Sequence, residues 1–168
     1  MPITAIGLGS NLGNRLLNLR TALRLLTATL PYSGEDKLIA TSDVFETEPW
    51  GVEDQPYFLN ACLIMPCASP PEALLGRVKE IETEMGRTAT RRWGERKIDI
   101  DILFMDSLIY DSPSLSLPHP EMHRRDFVLI PLAQIAPHWV HPCLKRTVSE
   151  MASDFRDRNP VRVCMNMV

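Results

Sequence analysis

The sequence predicts an α+β fold, and the spacing of its apolar residues together with the chain length supports this class. Segments in which apolar residues alternate predict strands, and segments in which they recur every three or four residues predict helices. The segments follow in the order strand, helix, strand, strand, helix, strand, with additions at the C-terminal end. This is the ferredoxin-like βαββαβ order, which implies a mainly antiparallel sheet with helices packed on it. The length of 168 residues predicts a single domain, 1–168.

The first half of the chain is predicted to contain three strands and one helix. Leucines at steps of three or four predict a helix that runs to about Thr29, after a turn at Gly9 to Asn11. The segment 48–56 holds two prolines, a glycine and an aromatic residue and is longer than a tight hairpin needs, which is typical of a functional loop. The predicted strands cover residues 3–8, 38–46 and 58–65.

The second half begins with another helix. Ser69 is its expected cap, Glu72 is expected to reach back to the backbone, and Gly86 is placed to end it. We expect its buried stripe to consist of Leu74, Val78, Ile81 and Met85. A strand with two aspartates follows, and a turn then predicts a short strand at 108–110.

A third helix is predicted at 127–136, with Pro131 near its first turn. The residues of this helix that we expect to face inward are Phe127, Ile130 and Ile135. The tail after about Pro142 is weakly patterned, and the sequence assigns it no role.

Composition limits the class of protein. Hydrophobic residues make up 45% and charged residues 23% of the chain, as in an ordinary soluble globular protein, and a net charge of −3 gives no general attraction to nucleic acid. The four cysteines match no zinc-site spacing, and we find no secretory signal and no apolar stretch of membrane-spanning length. We therefore expect free thiols, a cytoplasmic location, and neither a membrane nor a nucleic-acid partner.

Asp99 and Asp101 lie one residue apart inside an apolar run. Because side chains alternate along a strand, both carboxylates should share one face, within reach of a single cation, and the other face should meet a core. The residues predicted to face that core are Ile98, Ile100, Ile102 and Phe104. Magnesium takes one or two carboxylates and completes its shell with water and phosphates. An exposed strand face of alternating polarity would show the same pattern, so both interpretations stay open.

A cationic segment, residues 87–97, lies immediately upstream and carries five basic residues against one acid. Its basic residues are Arg87, Arg91, Arg92, Arg96 and Lys97. A solvated surface loop would explain such a run of charge. Arginine forks also match phosphate oxygens, and Trp93-Gly94 offers a flat ring beside a hinge. Carboxylates that can bind a metal ion therefore lie next to basic side chains that can bind phosphate. Phosphoryl transfer uses these two kinds of group together.

Phe58, Asn60 and Phe127 form a third group, and His119 is a fourth candidate. The aromatic residues could simply belong to the core. Phe58 and Asn60 share a strand face, however. A flat heterocycle could stack on the rings and form hydrogen bonds with the amide at its edge. His119 lies between prolines and could be structural, or it could donate to a phosphate.

Taken together, these segments resemble the 6-hydroxymethyl-7,8-dihydropterin pyrophosphokinase family of folate biosynthesis. The resemblance covers roughly residues 3–137. Its most specific part is the order of two pieces, Arg96 to Ile102 and then Pro118-His119. The segments that carry it are Gly9 to Leu12, Thr47 to Asn60, Arg92 to Gly94, Arg96 to Ile102, Leu117 to Pro120 and Arg125 to Phe127.

The resemblance implies transfer of an intact pyrophosphoryl group from ATP to the pterin hydroxymethyl group, which gives the pterin diphosphate and AMP. It implies two Mg²⁺ ions held by Asp99 and Asp101, and it adds Arg87 and Arg96 as catalytic residues acting on the phosphates. The residues it assigns to the pterin are Thr47, Pro49, Trp50, Phe58, Asn60 and Phe127. Those it assigns to ATP are Arg92, Trp93, Arg96, Ile102, Leu115, Ser116, His119 and Arg125. Its partners would be these small molecules, and we expect a monomer.

The chain departs from the family pattern at a few positions. Phe58 stands where tyrosine is frequent, Ser116 replaces a threonine, Ser114 stands where some members have an arginine, and Pro120 where some have a tyrosine. Two rival interpretations remain: a non-catalytic binding module on the same scaffold, and a magnesium-dependent transferase that acts on another heterocycle. AMP as the product distinguishes the pyrophosphokinase from an ordinary kinase, which yields ADP.

Overall fold

The computed structural model describes residues 2–29, 40–49, 54–86, 95–165 and 167. Its strands are β1 (Ile3–Ser10), β2 (Ala40–Thr41), β3 (Val44–Thr47), β4 (Phe58–Pro66), β5 (Asp99–Met105), β6 (Tyr110–Asp111), β7 (Ser116–Leu117) and β8 (Val161–Cys164). Its α-helices are α1 (Arg15–Thr29), α2 (Pro71–Glu84), α3 (Asp126–Ile135) and α4 (Val148–Ala152). Short 3-10 turns occupy Met122–Arg124 and Ser153–Phe155.

Six of the described strands form one antiparallel sheet in the order β5-β1-β4-β3-β8, and β2 also pairs with β4. The strands β6 and β7 form a separate hairpin. The predicted α+β class, the βαββαβ order and the antiparallel sheet are confirmed. The order brings β1 and β5 side by side, so the segment with the two aspartates becomes a neighbour of the first strand.

Several strand boundaries differ from the predicted ones. The strand β1 continues through Gly9 and Ser10, where we expected a turn, because both residues pair with β4. Within the described part of the predicted strand 38–46, the regular ladder is interrupted at Ser42. The Ser42 N–H still donates to the Cys62 carbonyl at 2.9 Å, but the Cys62 N–H donates to the Ser42 hydroxyl at 2.8 Å. The strand predicted at 108–110 is displaced, because Leu108 donates to Met105 in a turn and pairing begins only at Tyr110.

The helix α1 ends at Thr29 as predicted, and Gly86, with a φ of +81°, follows the end of α2. The expected cap of α2 was wrong. Pro70 occupies the position before the helix, and no side chain caps the helix. Glu72 does not reach back, because its carboxylate instead accepts hydrogen bonds from Ser112, Ser114 and Tyr110.

The inward face of α3 also differs from the prediction. The buried residues are Val128, Leu129, Pro131 and Leu132, whereas the predicted Phe127, Ile130 and Ile135 are only half-buried. Nearly every residue of this helix is apolar, so spacing alone could not identify the buried stripe. Pro131 lies inside the helix and not in its first turn.

A bulge in β5 changes which face its last residues occupy. Ile6 pairs with Ile102 and Ala5 with Phe104, so Leu103 is an extra residue in the ladder. Ile98, Ile100 and Ile102 pack in the core between the sheet and α1 and α2, as predicted. Phe104 does not join them, because the extra residue turns it to the opposite face.

That opposite face carries a second core, built with α3, α4 and the C-terminal segment. The Trp139 ring stacks on the Phe104 ring at a centroid distance of 3.9 Å, and Trp139 donates to the Asp106 carbonyl. The tail therefore has a structural role that the sequence did not indicate. Its helix α4 begins with a capping box of Thr147 and Glu150, and β8 extends the sheet beside β3.

The cysteines Cys62, Cys67, Cys143 and Cys164 are free thiols, as predicted. Among the described residues, no helix combines the length and apolar character that a membrane crossing requires.

Candidate active site

A cleft of about 690 Å³, open to solvent, lies on the sheet face that also carries α3. Its floor comes from the end of β1 and the starts of β4 and β5, and the first turn of α3 forms one wall. The side chains that line it and that we predicted from the sequence are Thr47, Phe58, Asn60, Arg96, Asp99, Asp101, Arg125 and Phe127. Residues distant in sequence thus converge on one cavity.

Asp99 and Asp101 point into this cleft from the same face of β5. Arg96 donates to Asp99 at 2.9 Å, and Arg125 lies 3.5 Å from Asp101. The Arg125 guanidinium also lies 5.6 Å from the centre of the Phe127 ring. Two acids and two arginines therefore form one charged end of the cleft. Arginine in such a place can hold carboxylates in the empty site and phosphate oxygens in a filled one.

The two aspartates fit a divalent cation. Burial and the neighbouring Asp99 charge raise the pKa of Asp101 well above its ordinary value of 3.8. A bound cation would offset this repulsion. No group of three or more potential metal-ligating side chains occurs in the described residues, so a metal here would rely on two carboxylates and on non-protein ligands. This donor set suits Mg²⁺, which keeps waters and substrate phosphates in its shell.

The other end of the cleft carries rings and an amide. Phe58 enters from β4 and Phe127 from α3, and Asn60 follows Phe58 on the same strand face. The Asn60 amide nitrogen donates to the Thr47 hydroxyl at 2.6 Å. Gly9 permits this arrangement, because a Cβ at Gly9 would lie only 2.9 Å from the Asn60 Oδ1. The close approach of β1 therefore determines where the amide sits.

Asn11 connects the two segments that flank the cleft. Its side-chain nitrogen donates to Gln55 at 2.9 Å and to the Pro56 carbonyl at 3.0 Å, and its Oδ1 accepts the Arg96 N–H at 2.7 Å. The Asn11 N–H also donates to the Arg96 carbonyl at 3.1 Å. The end of the 48–56 loop and the end of the cationic segment are thus tied to one residue, which is 2% exposed.

The geometry can be compared with known proteins. Residues 5–137 match the sequence profile of a family described as 7,8-dihydro-6-hydroxymethylpterin-pyrophosphokinase, or HPPK. The chain belongs to this family. HPPK enzymes use ATP as the co-substrate.

Relatives and solved structures agree with this membership. The 2-amino-4-hydroxy-6-hydroxymethyldihydropteridine pyrophosphokinase of Haemophilus influenzae is 36% identical over 162 residues, covering 96% of this chain and 98% of the relative. The enzyme of the same name from Porphyromonas gingivalis is 42% identical over 148 residues, covering 84% and 95%. A crystal structure of Plasmodium falciparum HPPK-DHPS with pteroate has a TM-score of 0.73 at 20% identity. It covers 94% of this chain, which spans 43% of that longer chain, and it supports the fold.

Some residues expected to serve HPPK chemistry fall outside the described part of the chain. These residues are Trp50, Arg87, Arg92 and Trp93. Pro49 is described and half-buried, but it is not among the residues that line the cleft.

The remaining residues predicted for ATP are not among those that line the cleft. Ile102 is 3% exposed, and its side chain belongs to the core behind the sheet. Leu115 packs against the same core, and Ser116 donates to Asp111 at 2.6 Å. Ser114, at a position where some HPPK members have arginine, donates to Glu72.

His119 is attached to the outer edge of β5, where its N–H donates to the Leu103 carbonyl at 2.8 Å. Burial, and then the nearby Arg125 charge, lower the pKa of His119 to about 4, so the ring is neutral at neutral pH. Its Nδ1 accepts the Glu121 N–H at 3.1 Å. The proton of the neutral ring therefore resides on Nε2, which donates to no acceptor among the described residues.

The sequence missed other residues that line the cleft, among them Glu48 and Cys62. Cys62 follows Phe58 and Asn60 at the strand period of two, so the same face rule could have identified it. Burial and the Asp101 charge raise the pKa of the Cys62 thiol, which is therefore protonated at neutral pH. It lines the floor as a small apolar group and does not supply a nucleophile.

Proposed function

We propose that this protein transfers pyrophosphate from ATP to the hydroxymethyl group of 6-hydroxymethyl-7,8-dihydropterin, forming the pterin diphosphate and AMP in folate biosynthesis. One observation carries the proposal beyond family membership. A ring-and-amide end and an acid-and-arginine end meet in a single cleft, with Phe58 and Phe127 in one half and Asp99 and Asp101 in the other. The ring-and-amide end suits a flat heterocycle, and the acid-and-arginine end suits a polyphosphate with its metal ions.

Two Mg²⁺ ions would be held by Asp99 and Asp101 together with the ATP phosphates. When bound, they would neutralise phosphate charge and polarise the bond to be broken. The shared strand face and the raised pKa of Asp101 support this assignment. Arg96 and Arg125, which contact the carboxylates, would turn part of their hydrogen bonding to phosphate oxygens.

The pterin would stack between Phe58 and Phe127, with its edge read by Asn60 and Thr47. In the described part of the chain, the Asn60 amide makes one side-chain hydrogen bond, so one N–H and its carbonyl oxygen can still serve a ligand. Pro49 and Trp50 would add contacts at the rim. Phe58 provides the stacking of the tyrosine frequent in the family without its hydroxyl.

The remaining assignments concern ATP and transfer. Arg87, Arg92 and Trp93 would act on the phosphates or the nucleotide from the cationic segment, and His119 would donate through Nε2–H. Ile102, Leu115 and Ser116 would lie at the adenine and ribose, where Ile102 can offer only its backbone unless its side chain moves.

The reaction needs no side-chain nucleophile. The substrate hydroxyl attacks the β-phosphorus in line and releases its proton to solvent. An O–P bond forms, the bond between the β-phosphorus and the oxygen that bridges it to the α-phosphate breaks, and AMP leaves with that oxygen. Catalysis then consists of positioning and charge neutralisation. Among the described residues that line the cleft, none stands out as a general base, and we assign none.

The decisive experiment mixes purified protein, Mg²⁺, ATP and 6-hydroxymethyl-7,8-dihydropterin and resolves the nucleotides. We expect AMP in step with the pterin diphosphate, and only when all components are present. ADP as the product would keep the phosphate site but contradict pyrophosphoryl transfer. No turnover would favour a non-catalytic binding module. The same preparation, sized by light scattering, tests the expected monomer, and cell fractionation tests the cytoplasmic location.

A further inference from the structure

Glu82 is a buried acid that lies outside the cleft. It belongs to α2, is 1% exposed, and does not line the cleft. Its Oε1 accepts the Ile100 N–H at 3.0 Å, and its Oε2 accepts from Lys79 at 3.0 Å. The Lys79 side chain is 57% exposed, so this ion pair connects the buried carboxylate to solvent. Glu82 therefore contacts the backbone of the residue that separates Asp99 from Asp101.

The contact occurs at the edge of the sheet. Among the described strands, β5 is the last on its side of the sheet and pairs with β1 alone. Successive residues of an antiparallel strand turn their backbone groups to opposite sides. Since the Ile100 N–H points outward to Glu82, the amides of Asp99 and Asp101 turn toward β1. Glu82 thus supplies, on the open side, the hydrogen bond that a further strand would otherwise provide.

A buried carboxylate at this helix position lowers the stability of the fold unless its hydrogen bonds offset the free energy of desolvation. The neighbouring inward residues of α2, Leu74, Val78 and Ile81, are apolar and fully buried. Burying a carboxylate requires hydrogen-bond partners, and an apolar residue would avoid that requirement but would leave the Ile100 N–H unpaired. A charged acceptor also forms a shorter and stronger bond to a backbone N–H than a neutral one does.

We propose that Glu82 is a positioning residue for the metal site: by fixing the backbone at Ile100, it sets the separation and direction of the Asp99 and Asp101 carboxylates. Held from α2 on the outer edge and from β1 on the inner edge, this short segment cannot shift along the strand or rotate its side chains away from the cleft. This inference rests on the proposed Mg²⁺-dependent function.

Three variants test it. Glu82→Gln keeps an oxygen that can accept the Ile100 N–H but removes the charge. Glu82→Leu keeps the approximate volume and removes the acceptor. Glu80→Leu, on the same helix with a side chain that is 66% exposed, is the matched control. For each variant we would measure amide hydrogen exchange at Ile100 without metal, Mn²⁺ affinity by calorimetry without substrates, and kcat and KM with Mg²⁺.

For Glu82→Leu we expect at least tenfold faster exchange at Ile100, at least fivefold weaker Mn²⁺ binding, and a lower kcat that higher Mg²⁺ partly restores. Glu82→Gln should stay within about threefold of the parent in exchange and Mn²⁺ affinity. Glu80→Leu should match the parent throughout. If Glu82→Leu weakens Mn²⁺ binding and Glu82→Gln restores it, Glu82 positions the metal site. A general loss of stability would not produce this pattern.

Several outcomes would overturn the inference. A folded Glu82→Leu with fast Ile100 exchange but unchanged Mn²⁺ affinity would reduce Glu82 to a structural cap. Loss of Mn²⁺ affinity in Glu82→Gln with slow exchange retained would show that charge, and not the hydrogen bond, matters. If Glu82→Leu fails to fold, the Glu82→Gln result decides. A parent protein with no Mg²⁺-dependent turnover contradicts the proposed function instead, whatever the Ile100 exchange shows.

Discussion

The two faces of the sheet differ in how completely helices cover them. On one face, α1 and α2 seal the core, and Ile98, Ile100 and Ile102 are at most 3% exposed. On the other face, α3 and α4 cover only part of the sheet and leave the cleft beside Asp99 and Asp101. The five consecutive residues 98–102 therefore contribute both to a sealed core and to the charged end of the cleft.

This difference indicates how the fold supports the site. A sealed core limits the movement of the strand, so the carboxylates on its back project from a rigid element. The open face can then accept unfavourable features, such as like charges in proximity, without loss of the fold. Substitutions on the two faces should accordingly affect different measurements, and the following four test that separation.

Asp101→Asn should have the largest effect. We expect kcat/KM to fall at least about 1,000-fold, equivalent to about 4 kcal/mol, because a neutral amide is a poor ligand for Mg²⁺. The metal-free variant should nevertheless melt at a higher temperature than the parent at pH 8. The fold raises the pKa of Asp101, so ionising this group costs stability.

The pH dependence gives the control for that substitution. The cost is absent when Asp101 is protonated in both folded and unfolded chains, and it grows as pH rises from the ordinary carboxyl pKa through the higher folded-state pKa. The gain in melting temperature should therefore be small at pH 4 and larger at pH 8. Equal gains at both values, or near-normal turnover at saturating Mg²⁺, would contradict the assignment.

Ile100→Ala tests the sealed face of the same strand. Removing most of a buried side chain should lower the free energy of unfolding by about 2–5 kcal/mol. The folded protein should keep the Asp99 and Asp101 carboxylates on their own face and bind Mg²⁺ within a few-fold of the parent. Urea unfolding and metal titration at a temperature where the variant is folded check both parts. A large loss of Mg²⁺ affinity without a loss of stability would show that the two faces are not separable in this way.

The sequence predicted correctly which residues share the open face, because that arrangement follows local rules. The period of two in β5 placed both aspartates on one side, and the same rule placed Asn60 beside Phe58. The bulge at Leu103 could not be predicted from the sequence, because it arises from pairing with β1. It turns Phe104 to the face opposite to the predicted one. Local spacing determines which residues share a face, but it does not report where the partner strand breaks the register.

The C-terminal tail makes contacts that could not be predicted from its own sequence. Val161–Cys164 pairs with β3, and Trp139 stacks on Phe104, yet neither interaction has a signature within its own segment. Each contact depends on a partner far away in the chain. Glu82 was missed for the same reason, because an acid in a helix stripe acquires meaning only once its contact with the Ile100 backbone is known.

Gly9→Ala should have an intermediate effect, confined to the ring-and-amide end of the cleft. The added Cβ would come within 2.9 Å of the Asn60 Oδ1, so the amide must move and its hydrogen bond to Thr47 would weaken. We expect pterin binding to weaken about tenfold, or about 1.4 kcal/mol, with ATP affinity nearly unchanged. Gly7→Ala is the control, since its Cβ would meet the Leu103 side chain at an ordinary 3.6 Å. Equal effects of both variants would argue against a specific role for Gly9.

His119→Asn should have the smallest of the four expected effects, a change in the pH dependence of stability that is separate from the ATP contact we propose for His119. The fold lowers the pKa of His119 to about 4, so above about pH 6.5 the ring is neutral in both folded and unfolded chains. As pH falls from 6.5 toward 4, the unfolded chain binds a proton that the folded chain does not, and stability is lost. Asparagine keeps an acceptor for the Glu121 N–H but cannot titrate, so the variant should lose less stability than the parent between pH 7.5 and 6, by about 0.8 kcal/mol. Urea unfolding at both pH values measures this difference. An equal acid-induced loss in parent and variant would show that the ring is not held neutral by its place at the edge of β5.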